Sequence, residues 1–576
     1  MIFLGTWLGI ARRGAQHYLE AAAESVDGGK RIFLNNSAAT RLTHALIFLV
    51  AVALIWDGGA RVSAAALEKW IYCAQNLWVD KNIDNLEALF RRASKAGYTH
   101  VLLTDSKMSK LGDMDARYFR NIERVKKLAA ELHLQIVPAL FSIGYSNDLL
   151  WHDPNLIEAL PVRDALFVVK NGEAHLQPDP TVDLKGGDFS DFTRWDWKDP
   201  EVQPENGAAV IRDPKGKSAR IVQKLKLQPF RQYHISIRVK SKDFRGTPEV
   251  KLLAGSRSLN FNSLGVKPTQ DWTMHHVVFN SLEFSEANLY VGCWDGRTGA
   301  VWFDDAELEE VGLVNLVRRP GAPLVVQKEN GPILSEGREY AKLVDPNMGV
   351  HPWKGSYDIW HAPPAIKTSL PEGSRLRVSS YHAVTVLDDQ AMICPSEPRT
   401  MELLRDQAMR MRAAWGAKGY MMSHDEIRVL NWCQACQRRN LDAGALLADN
   451  VKACIQILRQ VNPGGNVYVW SDMFDPNHNA HNDYYLVRGD LKGSWEGLDK
   501  EVIILPWYFD KRKESMKFFA DRGHRQVVAG YYDAKPEQIQ EWLRAARPFP
   551  RVIGVMYTTW QQKYGDLEQF ANLAVR

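Results

Sequence analysis

What most constrains this chain is a rhythm that begins at Trp70, in which short apolar runs each lead into an amphipathic stretch. "WIYCA" (70–74) precedes a segment with Leu86, Leu89, Phe90 and Ala93 on one helical face, stopped by Gly97. "THVLLTD" (99–105) precedes a second stripe at Phe119, Ile122, Val125, Leu128 and Leu132, and "QIVPALF" (135–141) follows it. Runs that are apolar at every position are strands buried on both faces, and such strands alternating with helices build a parallel sheet. The rhythm stops near residue 150 and resumes near 376. There "LRVSSYHA" (376–383), "GYMMSHDE" (419–426), "NVYVWSD" (466–472), "EVIILPWYFD" (501–510), "QVVAGYYD" (526–533) and "VIGVMYTTW" (552–560) follow one another. Between the first two lies a stripe at Met401, Leu404, Ala408, Met411 and Trp415. These are nine candidate strands for the eight of a (β/α)8 TIM-like barrel. The segment 376–383 is expected to be the extra one, or to pair beside the barrel. An open doubly wound sheet is the alternative.

The interruption has a different grammar. From "GGDFSDFTRWDW" (186–197) to "VWFDDAELEEV" (301–311) the apolar period changes from 3.6 to 2. "YHISIRV" places Tyr233, Ile235, Ile237 and Val239 on one face, and "TMHHVVF" and "ANLYVGCW" also read as strands. Regular short strands with turn residues between them describe a β-sandwich over 183–312, inserted after the third barrel strand. The Pro- and Gly-rich stretch 313–375 is expected to cross back over the barrel mouth, leaving 67–150 and 376–576 as the two parts of the barrel.

A chain of 576 residues exceeds one ordinary domain. Its 72 basic and 68 acidic side chains leave a net charge of +4 with no long Lys/Arg run, so no nucleic-acid partner is expected. The apolar segment Ala45 to Trp56 has twelve residues, short of the about 20 a spanning helix needs. With Arg41 and His44 before it and "ARVSAAA" (60–66) after it, residues 1–66 read as an atypical leader, the mature protein being exported without a membrane span. Six cysteines are too few for a disulfide scaffold in a chain this long, and Cys433–Cys436 is the best place for a single bridge.

In a parallel α/β barrel the site lies at the C-terminal strand ends. Those ends carry Asp105, Tyr145, His382, His424, Asp425, Glu426, Asp472, Asp475, Trp507, Tyr508, Asp510, Tyr531, Tyr532, Asp533, Tyr557 and Trp560. Carboxylates and aromatics with few basic groups suit a neutral polyol, its hydroxyls bonded by carboxylates and its ring faces stacked on aromatic rings. Phosphate would be poorly served.

Within "YMMSHDEIRVLNWCQAC" (420–436) two carboxylates stand side by side. Neighbours on a strand point to opposite faces, so Asp425 and Glu426 share a pocket only where the strand has ended and turned. Two carboxyls that close push their pKa values apart, one staying ionised while the other keeps a proton near neutrality. Alternatively they are strand-end charges that cap the next helix. A zinc-deaminase reading of His424-x-Glu426 and Cys433-x-x-Cys436 fails, because only eight residues separate His424 from Cys433 and no Pro precedes the first Cys. A structural zinc on the Cys pair would need two more ligands, with Cys394 the only nearby candidate. "DMFDPNHNAHND" (472–483) reads as a polar loop contacting substrate, and no metal is expected in the site.

A barrel strand ending in Asp-Glu, with "LPWYFD" and "VMYTTW" on later strands, resembles the substrate-assisted β-N-acetylhexosaminidases of glycoside hydrolase families 20 and 123. "MSHDE" stands where family 20 has two glycines before its Asp-Glu, and the likeness leans toward family 123. The inserted segment resembles a CenC-type carbohydrate-binding module. The resemblance implies an exo-acting enzyme on glycans with terminal β-linked N-acetylhexosamine, N-acetylgalactosamine favoured, and no cofactor. Glu426 would protonate the leaving oxygen and Asp425 orient the acetamide. Tyr508, Tyr532 or Tyr557 would bond the acetamide oxygen, while Trp507, Trp560 and Trp470 wall the sugar. Two other readings stand beside this one. The first is a glycosidase with separated carboxylates, Glu426 with Asp472 or Asp510; the second is a non-catalytic carbohydrate-binding protein.

Overall fold

The computed structural model describes residues 67–575, so the leader expected over 1–66 lies outside the described residues. Eight parallel strands close a barrel: β1 (Glu68–Ala74), β2 (His100–Thr104), β3 (Gln135–Leu140), β4 (Gly419–Met422), β5 (Asn466–Trp470), β6 (Ile503–Leu505), β7 (Gln526–Ala529) and β8 (Val552–Tyr557). Closure is direct, with Trp70 of β1 opposite both His100 of β2 and Met556 of β8. This is the (β/α)8 architecture that the strand–helix rhythm implies, and the open sheet is excluded.

The helices between them are α1 (Asp80–Lys95), α2 (Ala116–Glu131), α3 (Pro398–Trp415), α4 (Ala443–Val461), α5 (Arg512–Asp521), α6 (Gln538–Ala546) and α7 (Leu567–Leu573). Local chemistry sets their ends. Asp115 caps α2 by accepting from the Arg117 and Tyr118 amides. Pro398 opens α3, and Gly416, at φ +55°, closes it in the left-handed conformation. One expected core position is wrong: Phe119 faces solvent, and Tyr118, one position round the helix, is fully buried instead.

Two side-chain layers hold the barrel. Alternate residues point inward, giving an interior of Trp70, Tyr72, Leu102, Val137, Ala139, Met421, Tyr468, Trp470, Ile503, Leu505, Val527, Ala529 and Met556. The residues between them pack outward on the helices, which is why the strands read as apolar throughout.

Between β3 and α3 the chain leaves the barrel. Two long strands, Gln232–Ala254 and Glu286–Val311, bend near Asp243 and Asp295, both at positive φ, and so serve both layers of a β-sandwich. Tyr233, Ile235, Ile237 and Val239 all lie in its core. The stretch 313–375 is not a plain connection. With 159–176 and 375–383 it makes a five-stranded antiparallel sheet around Phe167, Val326, Leu376 and Val378. The extra strand Arg375–Ala383 belongs here, paired with Ala159–Lys170. Its partners lie on the far side of the sandwich in sequence, and local patterning cannot show them.

Among the described residues no helix is long and apolar enough to cross a membrane. All six cysteines are free thiols, so the bridge expected at Cys433–Cys436 is not formed.

Candidate active site

The period of two decides which strand-end residues face the barrel axis. From Met421 inward, Ser423 and Asp425 keep that side, while His424 points out toward the helices. His424 is fully buried there, its Nε2 3.2 Å from Asn450 of α4, and burial pulls its pKa down to about 4. It does not line the central cavity, which corrects its expected role in substrate binding.

Glu426 should also point away, but its φ of +50° turns the chain and returns its side chain to the cavity beside Asp425. The turn is locked from two directions. The Glu426 amide donates to Asp472 Oδ2 at 2.8 Å, and the loop after β3 presses in from the other side at Gly144. A Cβ at Gly144 would lie 1.8 Å from the Asp425 carbonyl oxygen, so only glycine fits. Gly144→Ala is therefore expected to cost ~1–3 kcal/mol of stability, read as a lowered urea midpoint, because a backbone clash of this depth has no side chain to rotate away. An unchanged midpoint would show that the two loops are free to separate.

The two oxygens of Glu426 are taken by Tyr145, one of the strand-end residues, and by Arg428, which the strand-end reading lacks. Arg428 Nη2 stands 2.6 Å from Oε1, and the Tyr145 hydroxyl donates to Oε2. Arg428 is itself 4% exposed, donates to Gln390 Oε1, and lies with its guanidinium 5.0 Å from the centre of the Tyr485 ring. Gln390 in turn donates to the Gly144 carbonyl at 2.8 Å and the Glu426 carbonyl at 3.2 Å. Asp425 makes no ion pair among the described residues. Burial first, and then the charges of Asp472 and Glu426, hold its carboxyl well above the usual range.

The cavity is about 590 Å³, within the ordinary range for small-molecule sites. Asp105, Asp148, Asp425 and Glu426 supply its carboxyl groups, Tyr145 is among its hydroxyls, and Tyr72, Trp470, Trp507, Tyr532 and Trp560 form its aromatic walls. These rings brace one another. Trp507 stacks on Tyr532 at 5.3 Å, and Trp560 meets Tyr72 at 4.8 Å and Trp470 at 5.6 Å. Tyr532 (43%) and Trp560 (40%) remain open at the mouth, unusually exposed for rings of this size. Asp533, following Tyr532 with both at positive φ, accepts from the Trp560 amide at 2.7 Å and sets that loop.

Five further sequence candidates do not line the cavity. Tyr557 falls on the outward parity of β8, donates to the Lys563 carbonyl at 2.7 Å and stacks on Tyr531. Tyr508 falls outward one step after Trp507 and stacks on His478 at 4.4 Å. His382 sits in the five-stranded sheet, 3.0 Å from Asn280 of the sandwich. Asp475 is buried as a turn cap, accepting from the Asn477 amide.

The fifth, Asp472, is fully buried behind the site, where besides the Glu426 amide it accepts from Asn479 at 3.0 Å and from Trp507 Nε1 at 3.4 Å. It positions the site and does not face the substrate. Burial pushes its pKa up to about 7. A folded pKa above the unfolded one gives stability that is full below pH 4 and lost as pH rises toward 7. Wild type should therefore lose stability relative to Asp472→Asn over that window, on the order of a few kcal/mol, and stay level above it. Denaturation of both proteins between pH 4 and 8 measures this; a flat difference would refute it.

No protein-family model and no curated protein matches the chain. Among solved structures, a β-N-acetylhexosaminidase aligns at 8% identity and TM-score 0.38, covering 89% of this chain and 72% of its own. The Streptomyces plicatus N-acetyl-β-hexosaminidase in complex with Thio-NAglucal aligns at 9% and 0.36, covering 89% and 64%. A rhamnosidase from Novosphingobium sp. PP1Y aligns at 12% and 0.30, covering 87% and 56%. At such TM-scores the likeness is loose, and the chemistry of the cavity has to be read from its own side chains.

Proposed function

We propose that the protein is a glycoside hydrolase, an exo-acting β-N-acetylhexosaminidase that uses the substrate's own acetamido group as nucleophile. The observation that carries this is the left-handed turn at Glu426, which sets two adjacent carboxyl groups side by side in an aromatic-walled cavity. Carboxyls on consecutive residues of one turn differ from the pairs that flank the scissile bond in other glycosidases. A nucleophile brought by the substrate removes the need for such a flanking pair.

In the proposed reaction the acetamido oxygen attacks C1 as the bond from C1 to the leaving oxygen breaks. Glu426 gives its proton to that oxygen, and Asp425 accepts the acetamide N–H and balances the charge on the oxazolinium ion. Glu426, now a carboxylate held by Arg428 and Tyr145, takes a proton from the water that opens the ring at C1. Configuration is retained. Tyr532 is the sequence candidate on the cavity that can bond the acetamide oxygen, since Tyr508 and Tyr557 face elsewhere. N-Acetylgalactosamine is the preferred sugar in this proposal, resting on the sequence likeness to family 123.

A second reading is favoured by Asp148, which also lines the cavity and whose carboxyl is raised by burial. Glu426 with Asp148 could serve a sugar without an acetamido group. Asp472 is screened from the cavity and Asp510 is not on it, so the partners expected from sequence for such a pair are replaced. Aryl β-glycosides with and without the 2-acetamido group separate the readings. The assisted reaction predicts at least ~10²-fold lower kcat/KM without it, the effect expected when the internal nucleophile is removed. Comparable turnover would give the site to the second reading, and glycan binding with no turnover on any aryl glycoside would sink both. Among the acetamido substrates, a tenfold preference for the gluco sugar would reverse the sugar assignment.

A further inference from the structure

Outside the cavity, the Cys-x-x-Cys pair is joined by Cys394, the nearby candidate in the sequence, and by Glu158, which the sequence did not show. Glu158, Cys394, Cys433 and Cys436 are each fully buried, and one ligand atom from each lies within 4.8 Å of all the others. Cys394 Sγ is 3.4 Å from Cys433 Sγ and 3.7 Å from Cys436 Sγ, and Cys436 Sγ is 3.5 Å from Glu158 Oε2. Sulfurs bound at 2.3 Å to one tetrahedral zinc ion stand about 3.8 Å apart, and a sulfur and a carboxylate oxygen about 3.5 Å apart. A disulfide would require about 2.05 Å.

We propose that these four residues bind one zinc ion, or a divalent cation of like size and softness, in a closed tetrahedral Cys3Glu site. The surroundings fit that role. Glu158 Oε1 accepts from the Trp432 and Cys433 amides, both at 2.8 Å, which fixes the carboxylate and leaves Oε2 turned to the thiols. Arg319, buried alongside, donates to the Ile157 carbonyl at 2.9 Å and pairs with Glu397 at 2.5 Å. A fixed cation thus stands beside the cluster, whose three thiolates and carboxylate would leave negative charge around a dication. With four protein ligands and no exposed face the site has no open position, so its work is structural.

Its placement says what it holds. Glu158 and Cys394 lie on adjacent antiparallel segments, the Cys394 amide donating to the Leu156 carbonyl at 2.7 Å, where the chain leaves the barrel for the insertion and where it comes back. Cys433 and Cys436 follow the turn that carries Glu426 and Arg428. One ion would thus join both ends of the insertion to the loop behind the cavity, across a sequence separation of 275 between Glu158 and Cys433. Ligation releases the thiol protons to solvent, so affinity falls as pH falls.

The test uses the full chain, free of any affinity tag and kept reduced. Elemental analysis should find one zinc per chain, and cobalt(II) exchanged into the site should give the intense visible absorption of tetrahedral thiolate ligation. Glu158→Gln keeps an acceptor for the two amides but removes the ligand oxygen, and should weaken zinc retention against a chelator at least tenfold. Cys433→Ser with Cys436→Ser should lose the metal altogether. Wild type that holds below a tenth of an equivalent, and gains neither zinc nor melting temperature when zinc is added under reduction, would overturn the proposal whatever the variants do. So would a disulfide found among the three cysteines of freshly purified protein.

Discussion

Asp425→Asn should lower kcat/KM on an aryl N-acetyl-β-hexosaminide by about 10²–10³-fold, and by a similar factor on a natural glycan. The proposed role of Asp425 is exerted on the acetamide, which must attack C1 whatever group departs. The neutral amide still fills the space, so the loss reports charge. In the empty site the carboxyl is held well above its usual range by burial and by Asp472 and Glu426. An acetamide N–H arriving at it favours the ionised form, so part of the binding interaction goes into deprotonating a buried group. The variant should consequently lose more in kcat than in affinity for the substrate. A variant with near-normal kcat and an intact fold by circular dichroism would return the carboxylate pair to the status of strand-end charges.

How much of this site could be read from sequence depends on where the period of two survives the end of a strand. It survives at Trp470, Trp507 and Trp560, each two or four residues beyond an inward barrel position, and all three reach the cavity. The same parity turns Tyr508, Tyr557 and His424 away, so applying it strictly would have removed three candidates from the sequence alone. It breaks at Glu426 and Tyr532, both at positive φ, and no glycine or asparagine marks either position. A left-handed glutamate is rare and is held by tertiary contacts. Here those are the Asp472 carboxylate and the Gly144 backbone, supplied by the loops after β5 and β3.

Arg428 was hidden for the same reason. In "DEIRVL" it reads as an ordinary surface charge, and only the turn at Glu426 folds it back onto the carboxylate two residues earlier. The barrel was legible because its strands and helices repeat locally. The five-stranded sheet was not, since its strands come from both sides of the sandwich and one of them is only two residues long. His382 was misplaced as a consequence, because it lies near the end of a strand of that sheet. Glu158 was beyond reach in the same way, its thiol partners lying more than two hundred residues further along the chain.

Glu426→Gln should divide substrates by their leaving group. With a natural sugar as leaving group the loss should reach ~10²–10⁴-fold in kcat/KM, the usual scale for removing a general acid. With a nitrophenolate, which departs without a proton, the loss should be much smaller. Arg428 and Tyr145 bear on the expectation, because each takes one oxygen of Glu426 in the empty site. Glutamine keeps one acceptor oxygen but sets an amide N–H against one of those two donors, so some disorder at Arg428 is expected as well. Arg428→Gln separates the two effects. It frees one oxygen of Glu426 while leaving the carboxyl able to carry a proton, and should reduce both substrates by similar factors. If Glu426→Gln also proved indifferent to the leaving group, the proton would have to come from elsewhere. Asp105 and Asp148 are the other carboxyls on the cavity, both raised by burial. Asp105 is held by the Leu77 and Lys107 amides and the Tyr118 hydroxyl, so Asp148→Asn would then show the leaving-group dependence instead.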